Sequence, residues 1–233
     1  MSSRPAAERR QDLIALLREM QTDHECPLAE TRTNLVFGAG NADADLMFVG
    51  EAPGRNEDEQ GLPFVGRAGQ LLEQLLVEIG LSRKDVFITN TLKCRPPNNR
   101  DPLPGELEAC TPYLFRQIAL IEPKVICTLG NFATKLLTGR PTGITRAHGV
   151  PVVRELGGRW VRVFPTFHPA AALRTPQLVQ TMREDFAKLP GLLELPLPET
   201  VGEVPDPDGG ADGAGGAPAG GTREPEATQL GLF

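Results

Sequence analysis

Apolar residues in this chain cluster in two ways, and the two alternate. Short continuous runs at 46–49, 86–90 and 125–129 are bounded by turn residues and predict buried strands. More widely spaced apolar positions predict helices that dock one face on a core. Leu13, Ile14, Leu16, Leu17 and Met20 mark such a face over 5–21; Leu71, Leu72, Leu75, Leu76 and Ile79 mark another over 68–79, stopped by Gly80. Residues 104–121 form a long helix with proline in its first turn, and shorter helices cover 131–137 and 176–189. Leu35 to Gly38 is a short strand or extended piece, and 150–153 faces 160–164 as a hairpin-like pair. Strands separated by helices make an α/β fold, a parallel sheet covered on both faces. The loops after Val49, Ile88 and Phe164 then converge on one edge, the carboxyl ends, where open sheets bind ligands.

Composition divides the chain into three parts: an N-terminal amphipathic helix over 1–22, a folded domain over 23–193 and an acidic tail over 194–233. Residues 196–233 contain 15 glycines and prolines and almost nothing that builds a core, so a disordered linker is expected there. The net charge of −6 argues against a nucleic-acid partner only until its distribution is counted. The tail holds eight acids and one base, which leaves the body with 23 bases against 22 acids. No run approaches the ~18 apolar residues of a membrane span, and the N-terminus lacks a secretory core, so a cytoplasmic protein is expected. Four cysteines in such a chain suggest a metal site or buried thiols before disulfides.

The first strand empties into Gly50-Glu51-Ala52-Pro53-Gly54, and the loop continues to Pro63-Phe64-Val65-Gly66. It lacks the Lys-Ser/Thr ending of a phosphate-binding loop. Gly38-Ala39-Gly40 precedes a strand, the wrong context for a dinucleotide fingerprint. The second strand ends in Thr89-Asn90 and runs into the basic, proline-rich Lys93-Cys94-Arg95-Pro96-Pro97. The hairpin leads into His168-Pro169-Ala170.

These five motifs, in this order, resemble the family 4 uracil-DNA glycosylases, over about residues 26–186. The resemblance implies a three-layer α/β/α sandwich around a parallel sheet, and hydrolysis of the uracil–deoxyribose bond after the base is flipped out of DNA. It implies a uracil pocket made by Gly50, Glu51, Ala52, Pro53, Glu57, Phe64, Asn90 and His168. Phe64 gives the flipped ring a stacking surface. Asn90 pairs with O4 and N3–H of uracil but meets a donor clash at the cytosine amine. His168 donates to O2 as charge builds on the leaving base. Glu51 orients or activates water and stabilises the cationic sugar, either as a base or only electrostatically. Glu57 excludes the 5-methyl group of thymine. Leu173 is the wedge that fills the vacated stack, with Arg174 on phosphate; the other reading of Leu173 is helix core. Lys93, Arg95 and Arg100 add phosphate contacts.

The resemblance also implies an iron–sulfur cluster of the 4Fe–4S type, with Cys26, Cys94 and Cys110 as three ligands. The fourth position falls on Asp23, followed by His24, so either is the candidate. Cys127 sits mid-strand and is core. The terminal Gln229-Leu230-Gly231-Leu232-Phe233 looks like the pentapeptide by which bacterial repair proteins bind the β sliding clamp, with Gln229, Leu230, Leu232 and Phe233 as its anchors. A monomer acting on uracil-containing DNA at the nucleoid is the expected working unit. The rival is a non-catalytic DNA damage-binding module using the same pocket.

Overall fold

The computed structural model describes residues 5–23 and 25–198. Helix α1 (Ala6–Asp23) is followed by β1 (Ala39–Gly40), β2 (Leu46–Gly50), α2 (Arg55–Gln60), α3 (Arg67–Glu78) and β3 (Phe87–Asn90). A 3-10 turn, Pro97–Asn99, leads to α4 (Pro104–Ile121), β4 (Val125–Leu129), α5 (Asn131–Thr138) and α6 (Ile144–Ala147). The hairpin of β5 (Val152–Leu156) and β6 (Arg159–Thr166) is followed by α7 (Pro169–Arg174), α8 (Gln177–Phe186) and α9 (Leu189–Glu194). The clamp-like residues Gln229, Leu230, Leu232 and Phe233 lie outside the described residues, as does most of the acidic tail.

The sheet order is β1-β3-β2-β4-β6-β5. The four central strands are parallel, and the two edge strands, β1 and β5, run antiparallel to their neighbours. Alternate residues of each central strand feed opposite cores. Met47, Val49, Phe87, Ile126, Val161 and Val163 join α1, α4 and α5 on one face. Leu46, Phe48, Ile88, Val125, Cys127 and Phe164 join α3, α8 and α9 on the other. This two-sided burial is why the strands appear in the sequence as unbroken apolar runs. The product is the expected α/β/α sandwich. The N-terminal helix is integral to it, since Leu13, Leu16, Leu17 and Met20 share a core with Leu114 and Ile118 of α4.

Parallel pairing also aligns the strand ends. Gly50 stands beside Asn90, and Leu129 beside Thr166, so the segments leaving β2, β3 and β6 emerge together at the carboxyl edge. Two stretches differ from the simplest sequence expectation. The stretch Leu35 to Gly38 is extended without being a strand, and the antiparallel bridge to β3 lies just beyond it. Helix α2 forms inside what the sequence presents as a loop, and buries Asp58, whose carboxylate accepts from the backbone N–H groups of Thr33 and Asn34 at 2.8 and 3.3 Å. No described helix is long and apolar enough to cross a membrane.

Candidate functional site

A pocket of about 430 Å³ opens at this edge. Its walls include Glu51, Ala52, Pro53, Glu57, Phe64, Asn90 and His168, which brings together all the expected uracil-contacting residues except Gly50. Gly50 lies directly beneath: a methyl group added there would come within 2.4 Å of Asn90 Oδ1 and 2.6 Å of Phe64 Cζ. Only glycine lets β2 pass this close to both side chains.

Asn90 closes β3 and is 1 % exposed, and its Oδ1 is buried without a hydrogen-bond partner among the described residues. An unmet buried acceptor costs ~1–3 kcal/mol, and a ligand bringing an N–H group to this point would recover it. His168 caps α7, where its Nδ1 accepts the Ala170 N–H at 3.1 Å. A nitrogen that accepts carries no proton, so the neutral ring bears its hydrogen on Nε2. Burial, and then the nearby Arg174, pull the His168 pKa down to about 4, so the ring is neutral at physiological pH. The residue is partly exposed, and it lines the pocket.

The Phe64 ring stacks on His168, centroids 5.6 Å apart at 27°. Its backbone is left-handed, with φ of 53°, a conformation costing a bulky residue ~1–3 kcal/mol. Glu57 supports this turn: its Oε1 accepts from the N–H groups of Val65 and Gly66 at 3.0 and 2.9 Å. Glu51 is different. Its carboxylate is partly buried and makes no hydrogen bond among the described residues, and burial, followed by the charge of Asp101, raises its pKa. Asp101 also lines the pocket. The Glu51 backbone is fixed, its carbonyl accepting from Leu92 N–H at 2.9 Å and Thr91 Oγ1 at 2.5 Å.

At the rim, Leu173 is 38 % exposed, which removes its reading as helix core, and Arg174 beside it lines the pocket. Arg100 also lines it, but holds both oxygens of Glu106 at 2.9 and 2.5 Å; Arg95 is tied to Asn99 at 2.7 Å. Lys93 is a correction to the sequence reading. It is 0 % exposed and cannot reach a phosphate; its ammonium donates to Thr89 Oγ1, Asn90 O and Gln117 Oε1 at 2.5, 2.8 and 2.7 Å.

Behind Lys93, three segments bring Cys26, Cys94 and Cys110 together in the core that contains α1 and α4. The Cys26 thiol hydrogen-bonds to those of Cys94 and Cys110; these bonds, and then burial, push both partner thiols up from their ordinary pKa. Each sulfur also accepts a donor from outside the trio. Leu28 N–H reaches Cys26 at 3.4 Å, Arg32 Nη1 reaches Cys94 at 3.1 Å, and Lys93 N–H reaches Cys110 at 3.4 Å. Among the described residues no three or more His, Cys, Asp or Glu side chains are arranged to hold a single metal ion. His24 and the side chain of Asp23 lie outside the described residues. Cys127 is in the opposite core, where burial raises its pKa.

Residues 37–189 match the model of the uracil DNA glycosylase superfamily. The chain is 50 % identical to the type-4 uracil-DNA glycosylase of Sulfurisphaera tokodaii over 182 residues, which is 76 % of this chain and 83 % of the relative. It is 48 % identical to the enzyme of that name from Archaeoglobus fulgidus over 183 residues, 77 % of this chain and 92 % of the relative. The chain belongs to the type-4 uracil-DNA glycosylase family. The corresponding protein of Thermotoga maritima is 46 % identical over 183 residues, with 77 % and 94 % covered.

Two residues in or behind this type-4 pocket escaped the sequence. Asp101 gave no signal beyond being one acid in a basic loop, and its approach to Glu51 depends on how residues 91–103 fold. Arg83 follows α3 as an ordinary surface arginine in sequence, yet its two terminal nitrogens donate to the carbonyls of Phe64 and Pro63 at 2.9 and 2.6 Å.

Proposed function

We propose that this chain flips uracil out of DNA and hydrolyses its N-glycosidic bond, leaving an abasic site and starting base-excision repair. The observation carrying this reading is the unpaired, buried Oδ1 of Asn90, close to a neutral His168 and the ring of Phe64. Uracil supplies a donor at N3, which Oδ1 accepts; cytosine offers only an acceptor there, so the buried group would stay unmet. Phe64 stacks on the flipped ring. The C1′–N1 bond breaks with its electron pair going to the base, and His168 Nε2–H donates to O2 as negative charge gathers. One such donor contributes ~2.7–4 kcal/mol to the transition state. Glu51, ionised, orients the water that adds to C1′ and stabilises the cationic sugar; the proton this water gives up on adding balances the one taken up by the departing uracil anion. Glu57 acts through the turn it holds, in addition to bordering the space beside the base. Leu173 fills the vacated stack with Arg174 on phosphate, while Arg95 and Arg100 add positive charge nearby.

The decisive test is release of free uracil from a labelled uracil-containing strand. Release by the wild-type chain, and a loss of about a hundredfold or more in His168→Ala with DNA binding retained, is the expected result. DNA binding without release would establish the damage-binding module instead.

The donor set of Cys26, Cys94 and Cys110 fits an iron–sulfur cluster. Three buried sulfurs converge, each already receives an N–H donor as cluster sulfurs do, and thiolate is the ligand such clusters take. Asp23 or His24 would complete the set. When bound, the group would tie the segment after α1 to the segments carrying Cys94 and Cys110, a structural role. Iron and acid-labile sulfide per chain, measured on anaerobically purified protein, test this; zinc or no metal overturns it. In the same reading the terminal Gln229, Leu230, Leu232 and Phe233 tether the enzyme to the β sliding clamp, on the support of their sequence alone. Deleting 229–233 is expected to abolish clamp binding, and undiminished binding refutes the tether.

A further inference from the structure

The aromatic platform of the pocket sits on an unfavourable backbone, so something must hold it there. Phe64 has φ of 53°, and its ring is 5 % exposed against His168 and Gly50. A strained conformation persists only where its surroundings over-determine it. Three contacts do so. Glu57 Oε1 takes the N–H groups on the carboxyl side of Phe64, those of Val65 and Gly66. The Phe64 carbonyl lies hard against α3, where a methyl group on Gly69 would come within 1.7 Å of its oxygen. Arg83 then closes the turn from the other side, with Nη1 on Phe64 O at 2.9 Å and Nη2 on Pro63 O at 2.6 Å. Glu73 of α3 backs the guanidinium, at 3.4 Å from Nη1.

We propose that Arg83 is a positioning residue for uracil recognition: its planar fork clamps two consecutive carbonyls and so fixes the pitch of the Phe64 ring over the base. Arg83 does not line the pocket, so it acts only through Phe64. The requirement is for a fork. Lysine at 83 has a single ammonium and cannot span the Pro63 and Phe64 carbonyls in one plane. With the clamp gone, Phe64 is free to leave the left-handed region, and the ring tilts away from the stacking position.

The inference rests on the reading of Phe64 as the stacking surface for uracil, and the experiment separates the two. Inhibition of the enzyme by free uracil reports on the platform without DNA, and uracil excision reports on it with DNA. Both are measured for Phe64→Ala, Arg83→Lys, Arg83→Ala and the Phe64→Ala/Arg83→Lys double variant, below the melting temperature of each. Phe64→Ala and Arg83→Lys are each expected to weaken uracil inhibition and excision about tenfold. In the double variant the second substitution should add less than about twofold, because both act through one ring. Arg83→Lys serves where Arg83→Ala folds poorly. Unchanged uracil inhibition in Phe64→Ala overturns the platform itself. A clear loss in Phe64→Ala with none in Arg83→Lys, or fully additive losses, leaves the platform standing and overturns the clamp.

Discussion

Residues 90–94 join two buried polar sites that are organised in opposite ways. At the pocket, Asn90 presents an acceptor with no partner among the described residues. At the thiol site four residues later, every sulfur has a donor from outside the trio and Cys26 bridges the other two. An unmet group in a wall with room beside it is poised for something that arrives and leaves. A set of groups already satisfied by one another, enclosed in a helical core, holds segments together. The same contrast separates Glu57 of α2 from Glu51 in the loop before it: two N–H groups engage the Glu57 carboxylate, whereas the Glu51 carboxylate has no hydrogen bond among the described residues and an upward-shifted pKa.

The contrast is broken most directly by exchanging effects between the two sites. Asn90→Asp keeps an acceptor but replaces the amide's donor with a second oxygen, which repels uracil O4. Excision should fall by about a thousandfold with little change in melting temperature. Cys110→Ala should do the reverse: lower the melting temperature by several degrees and change the iron content, while excision by the surviving folded protein stays within about tenfold. If Cys110→Ala destroys catalysis in a protein of unchanged stability, the thiol site is not merely structural.

Lys93 stands between the two sites and sharpens the comparison. Its three donations hold Thr89, the Asn90 backbone and Gln117, which in turn donates to Phe37 O at 2.9 Å. Lys93→Met leaves three buried acceptors short of a donor, at ~1–3 kcal/mol for an unmet group. The expected outcome is a melting temperature lowered by about 5–10 °C and excision reduced about tenfold, since the residue holding the reader strand is gone. Unchanged stability would mean that water or a neighbouring side chain replaces the ammonium.

How far the sequence carried depended on whether a residue's role is local. The central strands were legible because each is buried on both faces, so a run such as Val125 to Leu129 admits no other pattern. Phe64, Asn90 and His168 were named through the family resemblance that their motifs carry; the parallel sheet adds only that Asn90, closing β3, and His168, just past β6, share one edge. Helix α2 was hidden: its six residues are all polar, and its stability comes from the buried Asp58 and not from an apolar stripe. Lys93 was misread because a lysine in a basic, proline-rich loop looks solvated, and only the fold places Gln117 and the thiols around it. Arg83 and Asp101 carried no local signal, since their partners lie in segments distant in sequence.

The smallest expected effect concerns Asp101, and it tests whether Glu51 works as a carboxylate. Burial is the first cause of the raised Glu51 pKa and the Asp101 charge the second. If ionised Glu51 is required, activity is present above its pKa and lost as pH falls through it. Asp101→Asn removes one of the two upward pushes, so the acid limb of kcat/KM should move to lower pH while the neutral-pH rate changes only a few-fold. Glu57, Arg100, Arg174 and His168 share the pocket and are unchanged by the substitution. Burial and Arg174, not Asp101, set the His168 pKa, so the substitution leaves the titration of His168 in place. A limb that stays in place would mean that Glu51 does not titrate in the rate-determining step, and that its role is to position water without accepting a proton.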